Sequence, residues 1–262
     1  MSEEKVKKAI LKTGLPTEIM ATQMLRDAGW LVSNECPYLD RDKNKIRTLD
    51  ITASQNFPIS GVLKLGNFRV CELYIECKKS TGQSWVFFTE DNPKSYSDFM
   101  LEKYFDEVYL KILNSDKKQK KHTSIFGKIP AYYESINYQI ALSQQNVFND
   151  KKLFFKGTMQ VLKALLHKDE EIKKSAIKPM LITDVIPIIL FDGDMYECYY
   201  DREEIVTPKI EYTRYLAHGL PTQRFPVLID IVTLEHFPKY LEQIENEFKS
   251  SKKGITFEFD KK

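Results

Sequence analysis

One aspartate, and a glutamate and a lysine two residues apart, are the residues in this sequence best suited to chemistry. Asp50 lies inside an apolar segment of β type, and Glu76-Cys77-Lys78 closes the next such segment. On a strand, residues i and i+2 point to the same face, so Glu76 and Lys78 project together while Cys77 points the other way. If the two strands are neighbours, two carboxylates and one ammonium group converge.

The chemistry expected of such a group is hydrolysis assisted by a metal ion. Two carboxylates close together repel each other, and a divalent cation relieves that repulsion. Carboxylate oxygens suit a hard ion such as Mg²⁺, which lowers the pKa of a bound water and stabilises charge on a phosphoryl oxygen. Lys78 can position or help deprotonate the attacking water and offset negative charge in the transition state. The set therefore predicts a site for phosphodiester hydrolysis.

The Glu-x-Lys triplet gains its meaning from its position, because the sequence contains four of them. Three copies lie in charged segments, where a solvated helix face or terminus is the natural interpretation: Glu3/Lys5, Glu171/Lys173 and Glu247/Lys249. The copy at Glu76 and Lys78 alone ends an apolar run that favours a strand. That context indicates two charged groups emerging at the edge of the core.

The elements around these residues are predicted from hydrophobic periodicity. Residues 3–12 favour a short amphipathic helix. A second helix is expected over 18–28, with Thr17 as its N-cap and Gly29 at its end. Strands follow at 30–36, 46–53 and 68–78, with a turn-rich excursion over 55–67. Glu18 thus begins the second helix, and Asp50 and Glu76 lie on successive strands.

The remaining chain is predicted as a helical middle followed by strands. Helices are expected over 97–113, 133–148 and 153–167, strands over 180–191, 195–200, 209–216 and 225–233, and a final helix over 237–248. Asp192-Gly193 is a hairpin dipeptide, so residues 195–200 are expected to pair back against the preceding strand.

We therefore predict an α/β fold with a mixed central sheet flanked by helices, in a single domain over 1–262. Its core motif spans 17–80, a helical segment spans about 97–168, and further strands and a helix occupy 180–249. No internal repeat, low-complexity linker or shift in composition indicates a second domain.

The order of a helix glutamate, a strand aspartate and a Glu-x-Lys closing the next strand resembles the PD-(D/E)XK nuclease superfamily. That superfamily includes restriction endonucleases and archaeal Holliday junction resolvases. The resemblance covers residues 17–80 directly and implies a restriction endonuclease-like core, in which a helix, a three-stranded meander, another helix and a further strand follow one another. The chain departs from the pattern at Leu49, where many members have proline.

The resemblance also implies roles for individual residues. Asp50 and Glu76 would be metal ligands, the backbone carbonyl of Cys77 a third ligand, and Lys78 the catalytic lysine. Glu18 matches the extra acidic residue that many members direct towards the metal, often through water. The expected cofactor is Mg²⁺, with Mn²⁺ able to substitute.

The function that the resemblance implies is that of a metal-dependent DNA endonuclease. The alternative is a nuclease fold that binds nucleic acid or a partner without cutting, against which the intact Asp50, Glu76 and Lys78 argue. A coincidental triplet in an unrelated α/β domain is the third interpretation. Because one site cuts one strand, a homodimer is a further arrangement that the chain leaves open.

Further contacts with nucleic acid are weaker hypotheses. Gln139, predicted on a helix, and Lys79 are candidates, and each is also well explained as a solvated polar residue. The basic segment 115–122 supplies Lys117, Lys118, Lys120 and Lys121, and it favours a solvated loop over a loop that touches phosphates. Tyr38 and Asp40 could face the site, although a loop role is favoured for both. The aromatic residues Trp85, Phe87 and Phe88 are interpreted as core and not as base-stacking platforms.

Composition narrows the class without naming a substrate. The chain has 39 basic and 37 acidic residues among 262, so its net charge of +2 does not indicate a nucleic-acid binder. Four cysteines without a C-x-x-C pair favour reduced thiols in a cytoplasmic protein over a zinc site or disulfides. We expect neither a signal peptide nor a membrane span. Phosphate-binding loops, a G-x-S-x-G elbow and H-E-x-x-H are absent from the sequence.

Overall fold

The fold was analysed in a computed structural model that describes residues 2–58, 68–80, 83–88, 134–135, 137–143, 151–174, 182–217 and 227–250. Over these residues the chain is mixed α/β, with a mixed sheet flanked by helices. The helix predicted over 97–113 and part of the excursion over 55–67 lie outside the described residues. No helix in the described part combines the length and the apolar character needed to cross a bilayer.

Two helices open the chain, as predicted, but the second begins earlier. Helix α1 spans Glu3–Leu11 and helix α2 spans Leu15–Asp27. Gly29, with φ +80°, follows the end of α2 as expected. The N-cap is Gly14 and not Thr17, because Pro16 is tolerated in the first turn of a helix and allows α2 to start before it.

The strands and the remaining helices have the following bounds in chain order. The strands are β1 (Leu31–Asp40), β2 (Lys45–Pro58), β3 (Phe68–Lys79), β4 (Gln83–Phe88), β5 (Glu134–Ser135), β6 (Asn137–Ser143), β7 (Ile182–Asp192), β8 (Met195–Asp201), β9 (Glu204–Val206), β10 (Lys209–Ile210), β11 (Tyr212–Ala217) and β12 (Val227–Thr233). The helices are α3 (Lys151–Lys174) and α4 (Phe237–Ser250).

Among the described residues these strands form two sheets. The first has the order β1-β2-β3-β7-β12-β11-β5, and the second has the order β10-β8-β4-β6 with β9 beside β8. In the first sheet β1, β2 and β3 are an antiparallel meander, while β7 runs parallel to both β3 and β12. The two strands predicted to carry the site, β2 and β3, are therefore neighbours.

The helix predicted over 133–148 is wrong where the structure describes it. Residues 137–143 form β6, which pairs antiparallel with β4. Tyr138, Ile140 and Leu142 alternate with other residues at a period of two, the strand period, and the helical interpretation overlooked this spacing. Helix α3 does confirm the helix expected over 153–167 and extends it in both directions. The predicted helical segment at about 97–168 is thus only partly helical.

The hairpin predicted at Asp192-Gly193 is also wrong. Strand β8 does not pair with β7; it lies in the second sheet, parallel to β4. The ring of Phe191 stacks on Trp85 at 3.9 Å between centroids, and a Cβ added to Gly193 would lie 2.7 Å from the Phe191 ring. Glycine thus lets the chain turn tightly over this ring and cross between sheets. Similarly, the single strand expected over 209–216 is divided between β10 and β11, in different sheets.

Each face of the first sheet has its own hydrophobic core. On one face Leu25 of α2 and Leu241 of α4 pack with sheet residues that include Ile75 and Cys77. On the other face Leu162 of α3 packs with Ile189 and with the second sheet. Trp85 and Phe87 are buried there, which confirms their interpretation as core residues. The site residues on β3 therefore lie between two helical layers.

A buried ion-pair network fixes α3 against the β1–β2 hairpin. Asp40 is only 2% exposed and accepts hydrogen bonds from Arg47 Nε and Lys163 Nζ, each at 2.7 Å. Lys163 also pairs with Asp42 at 2.7 Å. The hydrogen bond from Lys163, followed by that from Arg47, holds the pKa of Asp40 below its ordinary value. Asp40, for which a loop role was predicted, is therefore a strand residue that positions α3.

We expect Asp40→Asn to lower the free energy of unfolding by about 1–3 kcal/mol near pH 7, because two charged hydrogen bonds lose their acceptor charge. The pKa of Asp40 is lowered in the folded state, so its contribution is present above the ordinary value of 3.8 and is lost as pH falls through the folded value. Urea unfolding at pH 7 and at a series of pH values well below 3.8 tests this, because the two proteins should converge only once the pH is below the lowered, folded pKa of Asp40.

The matched control for this prediction is Asp42→Asn, since Asp42 contacts the same lysine but has a side chain 56% exposed. Exposed pairs contribute less than about 1 kcal/mol. An equal loss of stability in both variants, or a difference between wild type and Asp40→Asn that persists in acid, would contradict the role assigned to Asp40.

Candidate active site

The candidate site lies where strands β2 and β3 part. The described ladder between them ends at the pair Ile51–Ile75, after which β3 continues alongside β7. Asp50 and Glu76 are the next residues on their strands. The Asp50 carboxylate bridges the opening, because its Oδ2 accepts the backbone N–H of Cys77 at 2.7 Å. This hydrogen bond brings Asp50 to the Glu76-Cys77-Lys78 triplet.

The triplet alternates across the sheet as the sequence predicts. Cys77 is buried in the core beneath α2 and α4, while Lys78 contacts α3 on the opposite face. The side chains of Glu76 and Lys78 are 2% and 7% exposed, and the Lys78 ammonium forms an ion pair with Glu76 Oε1. Lys78 Nζ also donates to the Cys77 carbonyl oxygen at 3.3 Å. One ammonium therefore contacts two of the oxygens that were predicted to bind metal.

The second carboxylate oxygen of Glu76 has no such partner. Oε2 is buried without a hydrogen bond to any part of the chain that the structure describes. Burial raises the pKa of Glu76 to about 7, Lys78 opposes the rise, and Asp50 adds to it. The pKa of Asp50 is also raised by burial, although Lys78 and the Cys77 N–H lower it. The single ammonium of Lys78 therefore does not neutralise the two carboxylates.

Glu18 lies within electrostatic reach of Asp50 and Lys78. Burial raises the pKa of Glu18, and the charge of Asp50 raises it further. Helix α2 is tied to the end of β7 by Thr17, whose hydroxyl donates to Asp192 Oδ2 at 2.9 Å. The predicted N-cap residue therefore anchors the helix that carries Glu18. The structure brings Glu18, Asp50, Glu76 and Lys78 into one electrostatic group.

Glu35 is an acidic neighbour that the sequence did not reveal. It falls between the β1–β2 pairs Asn34–Ile51 and Cys36–Leu49, and therefore lies opposite Asp50. Its φ of 51° is unusual for a residue with a side chain. Its charge raises the pKa of both Asp50 and Glu18. A positive φ at a glutamate leaves no readable signal in sequence.

Tyr38 is placed differently from its predicted loop. It lies on β1, is 3% exposed, and its hydroxyl has no hydrogen-bond partner in the described part of the chain. Burial raises the pKa of Tyr38 to about 12, and Glu76 is the nearby charge with the largest effect. A buried phenol thus faces the same region as the unpartnered Glu76 oxygen.

The side chain of Lys78 packs against helix α3. A Cβ added to Gly157 would lie 3.1 Å from Lys78 Cε and 3.5 Å from its Cγ, so this glycine gives the lysine stem its space. The preceding residue, Lys156, is exposed, and its charge lowers the pKa of both Asp50 and Glu76. The sequence alone does not indicate either α3 residue, because their approach to β3 depends on tertiary packing.

Two of the predicted nucleic-acid contacts, Lys79 and Gln139, lie on described strands. Lys79 pairs with Asp192 at 3.1 Å. Gln139 lies on strand β6 of the second sheet and not on a helix, which corrects its predicted location. The four lysines of the basic segment, Lys117, Lys118, Lys120 and Lys121, lie outside the described residues.

The residues present fit a magnesium ion better than a zinc ion. Among the described residues there is no group of three or more His, Cys, Asp and Glu side chains that could hold a metal. Asp50 and Glu76 with the Cys77 carbonyl would supply an all-oxygen set, and Mg²⁺ commonly takes one or two carboxylates and keeps several waters. Burial raises the pKa of the Cys77 thiol, which lies in the core on the other face. The unpartnered Glu76 oxygen is the atom best placed to accept a cation.

Comparison with known proteins gave no relative: no family model, no curated protein and no solved structure matches this chain.

Proposed function

We propose that the protein is a Mg²⁺-dependent endonuclease of the PD-(D/E)XK type that hydrolyses phosphodiester bonds in DNA. The observation that carries the proposal is the 2.7 Å hydrogen bond from the Cys77 N–H to Asp50 Oδ2, which joins two carboxylates and a lysine at one opening in the sheet. The buried, unpartnered oxygen of Glu76 adds support. Structural ion pairs rarely leave a buried carboxylate oxygen without a donor.

The order of elements supports the same proposal. Helix α2, the antiparallel meander β1–β3, helix α3 and strand β7 occur in the same order as the helix, meander, helix and strand of the superfamily core, with β4, β5 and β6 inserted between β3 and α3. Strand β7 lies beside β3 and parallel to it. We therefore assign a restriction endonuclease-like core as part of the proposal.

The proposed mechanism gives each residue a defined task. Asp50, Glu76 and the Cys77 carbonyl would hold Mg²⁺, with Glu18 contributing through water. When bound, the ion supplies a water of lowered pKa and stabilises charge on the phosphoryl oxygens. The ammonium of Lys78 offsets negative charge in the transition state and positions the attacking water. Gly157 keeps the lysine stem in place against α3.

The compartment, the oligomeric state and the partner proposed for this activity rest on fewer observations. All four cysteines are free, and Cys71, Cys77 and Cys198 are buried, which fits a reducing compartment such as the cytoplasm. Cutting both strands of a duplex with one site per chain would call for a homodimer. The partner that phosphodiester hydrolysis requires is nucleic acid, which we propose to be DNA.

Asp50→Asn is expected to reduce cleavage of supercoiled plasmid in Mg²⁺ by about 10³-fold, the order of effect seen when one electrostatic group of an active site is lost. Asparagine keeps an oxygen for the Cys77 N–H but loses the charge, so the fold should be retained. Gel electrophoresis measures nicked and linear products, and circular dichroism checks folding. Mn²⁺ should support the wild-type reaction.

The control variant is Asp201→Asn, which makes the same change at an exposed position at the end of β8. It should cut as fast as wild type. Equal background cleavage in all three proteins would exclude the endonuclease proposal for DNA. Binding of the duplex without cleavage would then favour the alternative, a nuclease fold that holds nucleic acid without cutting.

A further inference from the structure

The lysines packed around the site are mostly paired with the protein's own carboxylates. Lys78 pairs with Glu76 and is almost fully buried. Lys79 pairs with Asp192 at 3.1 Å, and Lys163 pairs with both Asp40 and Asp42. Each of these ammonium groups is thus occupied before any substrate approaches.

Lys156 differs from these three lysines. Its side chain is exposed on α3, and it has no ion-pair partner among the described residues. It immediately precedes Gly157, and a Cβ added to Gly157 would lie 3.1 Å from Lys78 Cε. The backbone of Lys156 therefore adjoins the residue that packs against the catalytic lysine. Its charge also acts on both Asp50 and Glu76. Lys156 is therefore an available cation at the solvent side of the site.

The carboxylates at this site repel a polyanion. Glu18, Glu35 and Asp50 act on one another electrostatically, and Glu35 is exposed. A cation beside these carboxylates, in addition to the proposed metal ion and Lys78, offsets the repulsion and favours a phosphate there. Lysine is a compact point charge on a flexible stem, which suits a phosphate whose position varies with the substrate.

We propose that Lys156 binds a backbone phosphate of the DNA substrate and positions the strand over the Asp50–Glu76 pair. The inference rests on the proposed nuclease function and names a binding residue of that same site. It predicts an electrostatic contact that releases counterions and is independent of base sequence. A lysine that is merely solvated makes no such contribution.

The test is the salt dependence of DNA binding by the full-length protein. Fluorescence anisotropy of a labelled duplex in EDTA gives Kd without cleavage across a series of KCl concentrations. Lys156→Met is expected to weaken binding severalfold and to reduce the slope of log K against log salt by about 1. Lys156→Arg should restore the wild-type slope. Methionine keeps the apolar stem, so the packing of α3 is preserved.

The control is Lys239→Met, at an exposed position on α4, which packs on the other face of the sheet. It should leave the slope unchanged. A wild-type slope in Lys156→Met, or no duplex binding by wild type, overturns the inference. Cleavage in Mg²⁺ separates the two proposals: a protein whose binding slope depends on Lys156 but that does not cut loses only the nuclease function. If the wild type cuts DNA but Lys156→Met keeps the wild-type salt slope, only the Lys156 contact is excluded.

Discussion

Lys78→Met is expected to slow DNA cleavage by about 10³-fold while the protein remains folded and still binds metal. The ammonium is the only group of Lys78 that the proposed mechanism uses. Its stem packs against Gly157 of α3, and methionine preserves an unbranched apolar stem there. Plasmid cleavage in saturating Mg²⁺ measures the effect, because saturation separates the chemical step from metal affinity.

The same variant should bind Mn²⁺ more tightly than wild type when no DNA is present. Lys78 Nζ contacts Glu76 Oε1 and the Cys77 carbonyl oxygen. Those oxygens are two of the groups that would hold the cation, so the ammonium competes with it for the same place. Removing a like charge from a buried site favours the incoming ion. Isothermal titration calorimetry with Mn²⁺ reports this without any dependence on activity.

The matched control is Lys168→Met, which removes an α3 lysine paired with Glu72 on the same strand, β3, at 3.4 Å. It should change neither cleavage nor Mn²⁺ affinity. Weaker Mn²⁺ binding in Lys78→Met would mean that Lys78 organises the carboxylates and does not compete for their place. Unchanged cleavage would remove Lys78 from the mechanism.

Local periodicity explains what the sequence predicted correctly about the site. Glu76 and Lys78 share a face, and Cys77 takes the other, because a strand alternates at every residue whatever surrounds it. Glu18 was predicted to lie on a helix and does so. These two conclusions needed only neighbouring residues in the chain. The adjacency of β2 and β3 was only a condition when argued from the residues, although the resemblance implied a meander, and the structure pairs the two strands.

Tertiary packing decided the features that the sequence did not predict. Strand β6 is the exception, because the period-two spacing of Tyr138, Ile140 and Leu142 is a local signal for a strand. The crossing at Gly193 depends on the ring of Phe191, which is held by Trp85 from a strand more than a hundred residues earlier. Lys156 reaches the site only because α3 packs on β3. Such contacts are non-local, and no local pattern encodes them.

A buried polar network far from the predicted motif escaped sequence analysis for the same reason. Arg214 on β11 and Asp230 on β12 are 1% and 3% exposed, and Arg214 Nε donates to Asp230 Oδ1 at 2.9 Å. The hydroxyl of Tyr212 donates to the same oxygen at 3.1 Å, and that of Tyr240 on α4 donates to Oδ2 at 2.6 Å. The network therefore joins two strands of the first sheet to the helix that covers them.

Arg214→Met is expected to lower the free energy of unfolding by about 3–5 kcal/mol, because it leaves the Asp230 carboxylate buried without its cation. The double variant Arg214→Met/Asp230→Asn should lose less, since no charge remains unpaired. The asparagine oxygen accepts from one of the two tyrosine hydroxyls, and the other hydroxyl can turn to accept from the amide nitrogen. Urea unfolding measures both values. Lys209→Met is the control, because its pair with Asp194 is exposed and exposed ion pairs add little to stability. If the double variant were as unstable as the single one, the cost would come from lost packing, and the charge of Asp230 would not be its cause.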